Sequence, residues 1–124
     1  MRIIPYYAAA LAFLFIFLSY RVITGRRNNK ISLGAGGNPA MERLVRVHAN
    51  FAEYTPFALI LLGMAELRGA APWLLHGLGV GLVAGRAAHA FGVSRTPENF
   101  RFRIAGMMLT FGVLTVAALA LVAT

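Results

Sequence analysis

Four apolar runs, each long enough to cross a bilayer, constrain this chain more than any other feature. They cover residues 3–24, 39–67, 72–91 and 100–122. A hydrocarbon core of about 30 Å is crossed by about 20 helical residues, and lipid offers no partners to unpaired backbone groups. The sequence therefore predicts an all-α integral membrane protein, a bundle of four transmembrane helices that forms a single domain over residues 1–124.

The charged residues favour a multi-pass membrane protein over a nucleic-acid-binding one. Twelve Lys and Arg against four Glu give a net charge of +8, but the basic residues stand in short clusters between the apolar runs. A basic excess in membrane-protein loops needs no nucleic acid. The clusters surround the first and third loops, so the positive-inside rule places both loops in the cytoplasm. With no Cys, the chain has no disulfide and no thiolate metal site, and we expect no bound metal.

Two of the apolar runs allow a second interpretation. Arg2 followed by apolar residues resembles a cleaved signal peptide. However, the run exceeds the usual length of about 7–15 residues and no small-residue cleavage site closes it, so we expect an uncleaved helix. In the third run, Gly77, Gly81 and Gly85 recur every four residues. This spacing either lets helix backbones approach closely or reflects the general tolerance of membrane helices for Gly.

The second run opens with polar side chains, which are costly to remove from water without partners. Asn38 followed by Pro39 is typical of a helix N-cap with Pro in the first helical position. On that helix, Arg46, Asn50 and Glu53 fall within about 60° of arc at about 100° per residue. One face of the second helix therefore directs a guanidinium, an amide and a carboxylate at a single place.

Further arginines lie at a similar depth and indicate an anionic ligand. Arg86 and His89 share a face of the third run, and Arg101 and Arg103 begin the fourth. A guanidinium keeps its charge when desolvated and binds carboxylates through two donors. A ligand with two carboxylates, one ammonium group and two peptide bonds would use the whole set. Glutathione is such a ligand, although charge alone does not single it out.

Two structural explanations of the same residues stay open. Glu53 could pair with Arg46 or Arg86 as a staple between helices, because intramembrane ions are usually paired. Arg101 and Arg103 could be ordinary basic flanks of a membrane helix. A staple does not explain the surplus of arginine over acid, so the sequence favours a ligand.

Longer motifs resemble the MAPEG family, the membrane-associated proteins in eicosanoid and glutathione metabolism. "ERLVRVHANFAEYTPFALILL" is similar to the family's second helix, "GRAAHAFG" to its third, and "RFRIAGM" to the start of its fourth. "RVITGRRNNK" resembles the end of the first helix in the leukotriene synthase branch. The short forms look most like small bacterial members, which implies a bacterial inner membrane. The resemblance implies a homotrimer with glutathione between neighbouring subunits, near the cytoplasmic side.

The resemblance also implies roles for individual residues. Arg103, followed by "IAGM", matches the Arg that stabilises the glutathione thiolate, and Arg101 is the alternative because the preceding loop differs in length. Several synthases place a Tyr near the end of the third helix, where this chain has Val93. The residues on glutathione-binding positions are Arg26, Arg46, Asn50, Glu53, Tyr54, Arg86 and His89.

Together these features predict a membrane-bound glutathione transferase, or a glutathione peroxidase, that uses an Arg-stabilised thiolate on lipophilic electrophiles. The alternative is a non-catalytic lipid- or partner-binding scaffold of the same family. The missing Tyr favours the scaffold, whereas the intact set of polar residues on the second helix opposes it. A third possibility is a small proton-coupled exporter with Glu53 as carrier, but the surrounding arginines would hold that carboxylate ionised.

Overall fold

The protein is built from four α-helices in chain order. The computed structural model describes residues 1–95 and 97–123, so Thr96, in the predicted turn before the fourth run, and Thr124 lie outside the described residues. The helices are α1 (Ile4–Asn29), α2 (Pro39–Leu67), α3 (Pro72–Ser94) and α4 (Phe100–Ala123). Helix α1 packs on α2 and α3, and α4 packs on α3 and α2. The all-α, four-helix fold expected from the apolar runs is therefore present.

Helices α1 and α3 continue past the ends predicted from hydropathy. The sequence ended the first at residue 24 and the third at residue 91, but the helices end at Asn29 and Ser94. Hydropathy marks where a chain leaves the apolar region, which is not where its backbone stops being helical. Helix α1 ends where Lys30 adopts a left-handed conformation with φ of 56°. Helix α2 has the predicted bounds, and the Asn38 side chain caps it as expected.

Length and hydropathy qualify two of the helices as membrane spans. Within the described residues these are α1 and α4, with mean hydropathies of 1.8 and 2.2. Helices α2 and α3 do not meet the same criterion within this part of the chain; the first half of α2 carries charges, and α3 contains Arg86 and His89. Large apolar side chains are exposed, among them Phe13 at 73% on α1 and Met108 at 65% on α4. Such a surface is unusual for a soluble monomer and suits contact with lipid.

Hydrogen bonds at each end of the bundle fix its up-and-down arrangement. At one end, the Glu66 carboxylate accepts from the backbone N–H of Ile4 at 2.8 Å, joining the end of α2 to the start of α1. At the other end, Arg43 of α2 donates to the carbonyl oxygen of Val93 on α3 at 3.2 Å. The first and third loops therefore lie at the same end of the bundle, as the orientation predicted from the charges requires.

Helices α3 and α4 cross with their backbones in contact. A Cβ added to Gly106 would lie 2.5 Å from the carbonyl oxygen of Gly85. Of the glycines spaced every four residues in α3, Gly85 and Gly81 face α4, whereas a Cβ on Gly77 would meet no atom within 4 Å. The spacing thus permits close packing at two of its three positions. This contact holds the start of α4 against the end of α3.

Candidate functional site

A basic pocket lies between the first half of α2, the end of α3 and the start of α4. Its volume of about 310 Å³ lies at the lower end of the range, about 300–1,000 Å³, usual for small-molecule sites. The polar lining comprises three guanidinium groups, two carboxylates, an amide and an imidazole. The lining residues are Pro39, Glu42, Arg43, Arg46, Asn50, His89, Val93, Glu98 and Arg103.

Four of the predicted site residues line this pocket. Helix α2 presents Arg46 and Asn50, which the four-residue spacing placed on one face. Helix α3 contributes His89, which is buried at 5% exposure, and α4 contributes Arg103. The helical periodicity of α2 and the close crossing of α3 and α4 together bring these four side chains to one site.

Two predicted residues on α2 lie outside the lining. Glu53 pairs with Arg46 at 3.9 Å, and both side chains are more than half exposed, at 59% and 57%. This ion pair lies within one helix, so Glu53 is not the staple between helices that the sequence left open. Tyr54 contacts Phe111 of α4 edge to face, with ring centroids 5.7 Å apart. Glu53 therefore belongs to an outer face of α2, and Tyr54 belongs to the contact with α4.

Two further predicted residues lie in or beside loops, away from the pocket. Arg26, near the end of α1, donates from Nε to the carbonyl oxygen of Gly34 at 3.1 Å. Arg101 lines a separate hollow of about 460 Å³ beside the loop that precedes α4. Of the two arginines proposed for thiolate stabilisation, the structure therefore places Arg103 in the pocket and Arg101 outside it.

Arg86 lies behind the pocket and holds its wall together. The side chain is 1% exposed. Its Nη1 donates to Oδ1 of Asn50 at 2.5 Å and its Nε donates to Oγ1 of Thr110 at 3.1 Å. Its Nη2 lies 3.2 Å from the sulfur of Met107. Arg86 thus ties α3 to both α2 and α4, and because the Asn50 oxygen accepts from it, the Asn50 NH₂ group is left to donate to a ligand.

Two charged pocket residues were not predicted from the sequence: Glu42, in the first turn of α2, and Glu98, in the loop before α4. The position of Glu98 is the more informative. Oε1 of Glu98 lies 2.5 Å from Nη1 of Arg103, and its Oε2 lies 3.6 Å from Nη1 of Arg43. Loop residues have no helical periodicity, so no pattern could assign Glu98 to this site. The only signal was an acid close to the fourth run in a chain with four acids. The surplus of arginine inferred from the sequence is therefore smaller within the pocket, because a carboxylate lies between two of its guanidinium groups.

Asn99, the last residue before α4, is fixed by hydrogen bonds to both neighbouring helices. The N–H of Asn99 donates to the carbonyl oxygen of Gly92 at 3.0 Å, and the Asn99 side chain accepts from the N–H of Phe102 at 3.2 Å. A Cβ on Gly92 would lie 2.5 Å from the backbone N of Arg103. The lack of a side chain at Gly92 therefore lets the first turn of α4 pack directly on α3, which positions Arg103 at the pocket.

His48, another polar residue on the first half of α2, contacts α1. Its Nε2 hydrogen-bonds with Oγ of Ser19 on α1 at 3.0 Å, and its ring stacks on Phe15 with centroids 5.0 Å apart. His48 therefore belongs to the contact between α1 and α2. The polar residues of this helix serve different neighbours: His48 packs on α1, Asn50 accepts from α3, and Arg46 lines the pocket.

The fold and this site define a class, a four-helix membrane protein with a basic pocket at one end of the bundle. The chain belongs to the MAPEG family, whose model matches residues 4–123. It is 34% identical over 114 residues to the "Inner membrane protein YecN" of Escherichia coli strain K12, covering 92% of this chain and 86% of that protein. The protein of the same name from a second E. coli strain matches with the same identity and coverage. The family confirms the resemblance and makes this chain an integral membrane protein.

Proposed function

We propose that the protein is a membrane-bound glutathione transferase that binds glutathione in the basic pocket. The observation that carries this proposal is the convergence of Arg43, Arg46 and Arg103 with the amide of Asn50 in one pocket. Membership of the MAPEG family supports the choice of ligand, because the family includes glutathione transferases and peroxidases. A peroxidase activity would use the same thiolate and the same residues.

The groups of the pocket match the groups of glutathione. Guanidinium groups bind carboxylates through paired hydrogen bonds and keep their charge in a dehydrated site, so Arg43 and Arg46 suit the two carboxylates. The NH₂ group of Asn50 suits a peptide carbonyl. The carboxylate of Glu42, at the pocket edge, suits the ammonium group. Arg103 is then left for the sulfur.

Arg103 is the residue on which the proposed chemistry depends. Glutathione, when bound, supplies a thiol whose ionised form bonds to an electrophilic carbon while the leaving group departs with its electron pair. A free thiol has a pKa of ~8.5 and is a poor nucleophile at neutral pH. The Arg103 guanidinium, half-exposed at the start of α4, would stabilise the thiolate and lower that pKa. The thiol proton would pass to water at this polar end of the bundle.

We also propose that a homotrimer completes the site, as the family resemblance implies. Arg26 and Glu53 do not line the pocket of a single chain, although the resemblance places both against glutathione. Arg46 and Glu53 form an exposed ion pair on a membrane helix, and ions in such helices usually face a protein interior or a water-filled cavity. A neighbouring protomer packed on this face would cover the pair and extend the pocket.

Calorimetric titration of the detergent-purified protein with glutathione tests this proposal. We expect saturable binding, together with thioether formation from a lipophilic aryl halide such as 1-chloro-2,4-dinitrobenzene. The absence of any glutathione binding at millimolar concentration would contradict the proposal. Binding without turnover on any electrophile tried would favour the non-catalytic scaffold instead.

A further inference from the structure

Glu98 already holds the cations that the proposed ligand needs. Its carboxylate bridges Arg103 and Arg43, and its side chain is only 10% exposed. Two of the three guanidinium groups in the pocket are therefore partnered by Glu98, and the third, that of Arg46, is partnered by the exposed Glu53. An anionic ligand that uses Arg103 or Arg43 must compete with the Glu98 carboxylate.

The contacts of the neighbouring Asn99, rather than these ion pairs, hold Glu98 at the pocket. The next residue, Asn99, is fixed through its N–H to Gly92 and through its side chain to the first turn of α4. A Cβ on Gly92 would lie 2.7 Å from the carbonyl oxygen of Asn99, so the turn has little room to move there. Only the flexible Glu98 side chain needs to move for its carboxylate to leave Arg103.

Two further arginines lie beside Glu98 on the outer side of the same turn. The hollow of about 460 Å³ beside the pocket is lined by Glu98 together with Arg95 and Arg101. Both arginines are exposed, so their charges are accessible to a side chain that swings outward. Glu98 therefore borders two basic sites and can exchange between them without a change in the helices.

We propose that Glu98 is an internal competitor that occupies the anion site until glutathione displaces it. In the ligand-free protein, Glu98 holds Arg103 and Arg43 in place. When glutathione binds, the Glu98 carboxylate moves outward to Arg95 and Arg101. This inference rests on the proposed function, because it takes glutathione as the displacing anion.

The competition also bears on product release. When the sulfur bonds to carbon and the leaving group departs with its electron pair, the sulfur becomes a neutral thioether. The sulfur then carries no negative charge to pair with the Arg103 guanidinium, and the Glu98 carboxylate returns to Arg103. Glu98 thus lowers the affinity for glutathione and favours the empty site once the reaction is complete.

The test compares Glu98→Gln with Glu42→Gln. Each change removes one negative charge from the lining of the same pocket, but of these two carboxylates, among the described residues, Glu98 alone forms ion pairs with pocket arginines. Glu98→Gln should tighten glutathione binding about fivefold, the upper scale of a partly exposed ion pair, and shift the ultraviolet titration of the bound thiol to lower pH. Glu42→Gln should instead weaken binding, because that carboxylate is the proposed partner of the glutathione ammonium group. Glu98→Asp, which keeps the charge on a shorter side chain, should tighten binding by less than Glu98→Gln.

The outcomes separate this inference from the proposed function. If the wild-type protein binds glutathione but Glu98→Gln binds it no more tightly, or gains no more than Glu42→Gln, the competition does not exist. Weaker binding by Glu98→Gln, with the helical circular dichroism unchanged, would make Glu98 a support for Arg103 and would also overturn the inference. If the wild-type protein does not bind glutathione, the proposed function fails and this inference fails with it.

Discussion

Adding one methyl group at Gly106 should force α3 and α4 apart and move Arg103 away from the pocket. The added Cβ would lie 2.5 Å from the carbonyl oxygen of Gly85 and 2.5 Å from the backbone N of His89, and 3.4 Å is the shortest ordinary contact. Both atoms belong to backbone, which cannot rotate away as a side chain can. The helices must therefore separate by about 0.9 Å, since interiors are close-packed and offer no spare volume.

This separation has an energetic and a functional consequence. Overpacking of this kind costs about 1–3 kcal/mol, and the hydrogen bond from Arg86 to Thr110, now 3.1 Å long, would lengthen beyond hydrogen-bonding distance. Alanine's better helix propensity, worth about 1 kcal/mol in water, offsets about as much as the loss of that hydrogen bond costs, about 1 kcal/mol. We expect Gly106→Ala to lower the free energy of unfolding by about 1–3 kcal/mol and to weaken glutathione binding.

Gly112→Ala is the matched control on the same helix. A Cβ at Gly112 would meet no atom within 4 Å, so this variant should gain the helix propensity without the clash and be at least as stable as the wild type. Both variants can be unfolded with sodium dodecyl sulfate in mixed micelles and followed by circular dichroism. Equal midpoints for Gly106→Ala and Gly112→Ala would refute the close crossing of α3 and α4.

Three further predictions concern the pocket and the orientation of the chain. Arg46→Ala and Asn50→Ala should each weaken glutathione binding by more than ~1 kcal/mol, the scale of a charge-assisted hydrogen bond; unchanged calorimetric affinity in both would contradict the ligand assignment. Arg86→Met should also weaken binding, although Arg86 lies outside the pocket, because Asn50 loses the donor that orients it. If calorimetry gave this variant the same affinity for glutathione as the wild type, Arg86 would not have this role. In intact cells, an impermeant thiol reagent should label Trp73→Cys and spare Leu33→Cys, both at exposed positions; the reverse pattern would invert the predicted orientation.

The sequence predicted the helices well where local signals mark their ends. Helix α2 begins at the Asn38-Pro39 cap and ends before a Gly-containing turn, and both signals act locally, the first through the Asn38 side chain and the second through the backbone of Gly69. The end of α1 was missed because the polar residues that follow the apolar run still form helix. Helix α1 ends at Asn29 because Lys30 adopts a left-handed conformation, which hydropathy does not predict.

The site was predictable where its residues follow helical periodicity or match the motifs of the family, as Arg103 does. Arg46 and Asn50 were placed on one face by their spacing, and both line the pocket. The position of Glu98 depends on how a loop folds back between two helices, and its partner Arg43 lies 55 residues earlier in the chain. The burial of Arg86 depends in the same way on the tertiary crossing of three helices. Single-sequence patterns carry no information about such contacts.

The central claim, that Arg103 stabilises a glutathione thiolate, is tested most directly by the ultraviolet absorbance of glutathione bound to the protein. The wild-type protein should show thiolate at a pH well below the ordinary thiol pKa, each pK unit corresponding to ~1.4 kcal/mol. Arg103→Ala should lose this signal, Arg103→Lys should restore part of it because the charge survives without the planar fork, and Arg101→Ala should keep most of it. A thiolate signal that survives in Arg103→Ala and disappears in Arg101→Ala would contradict the claim.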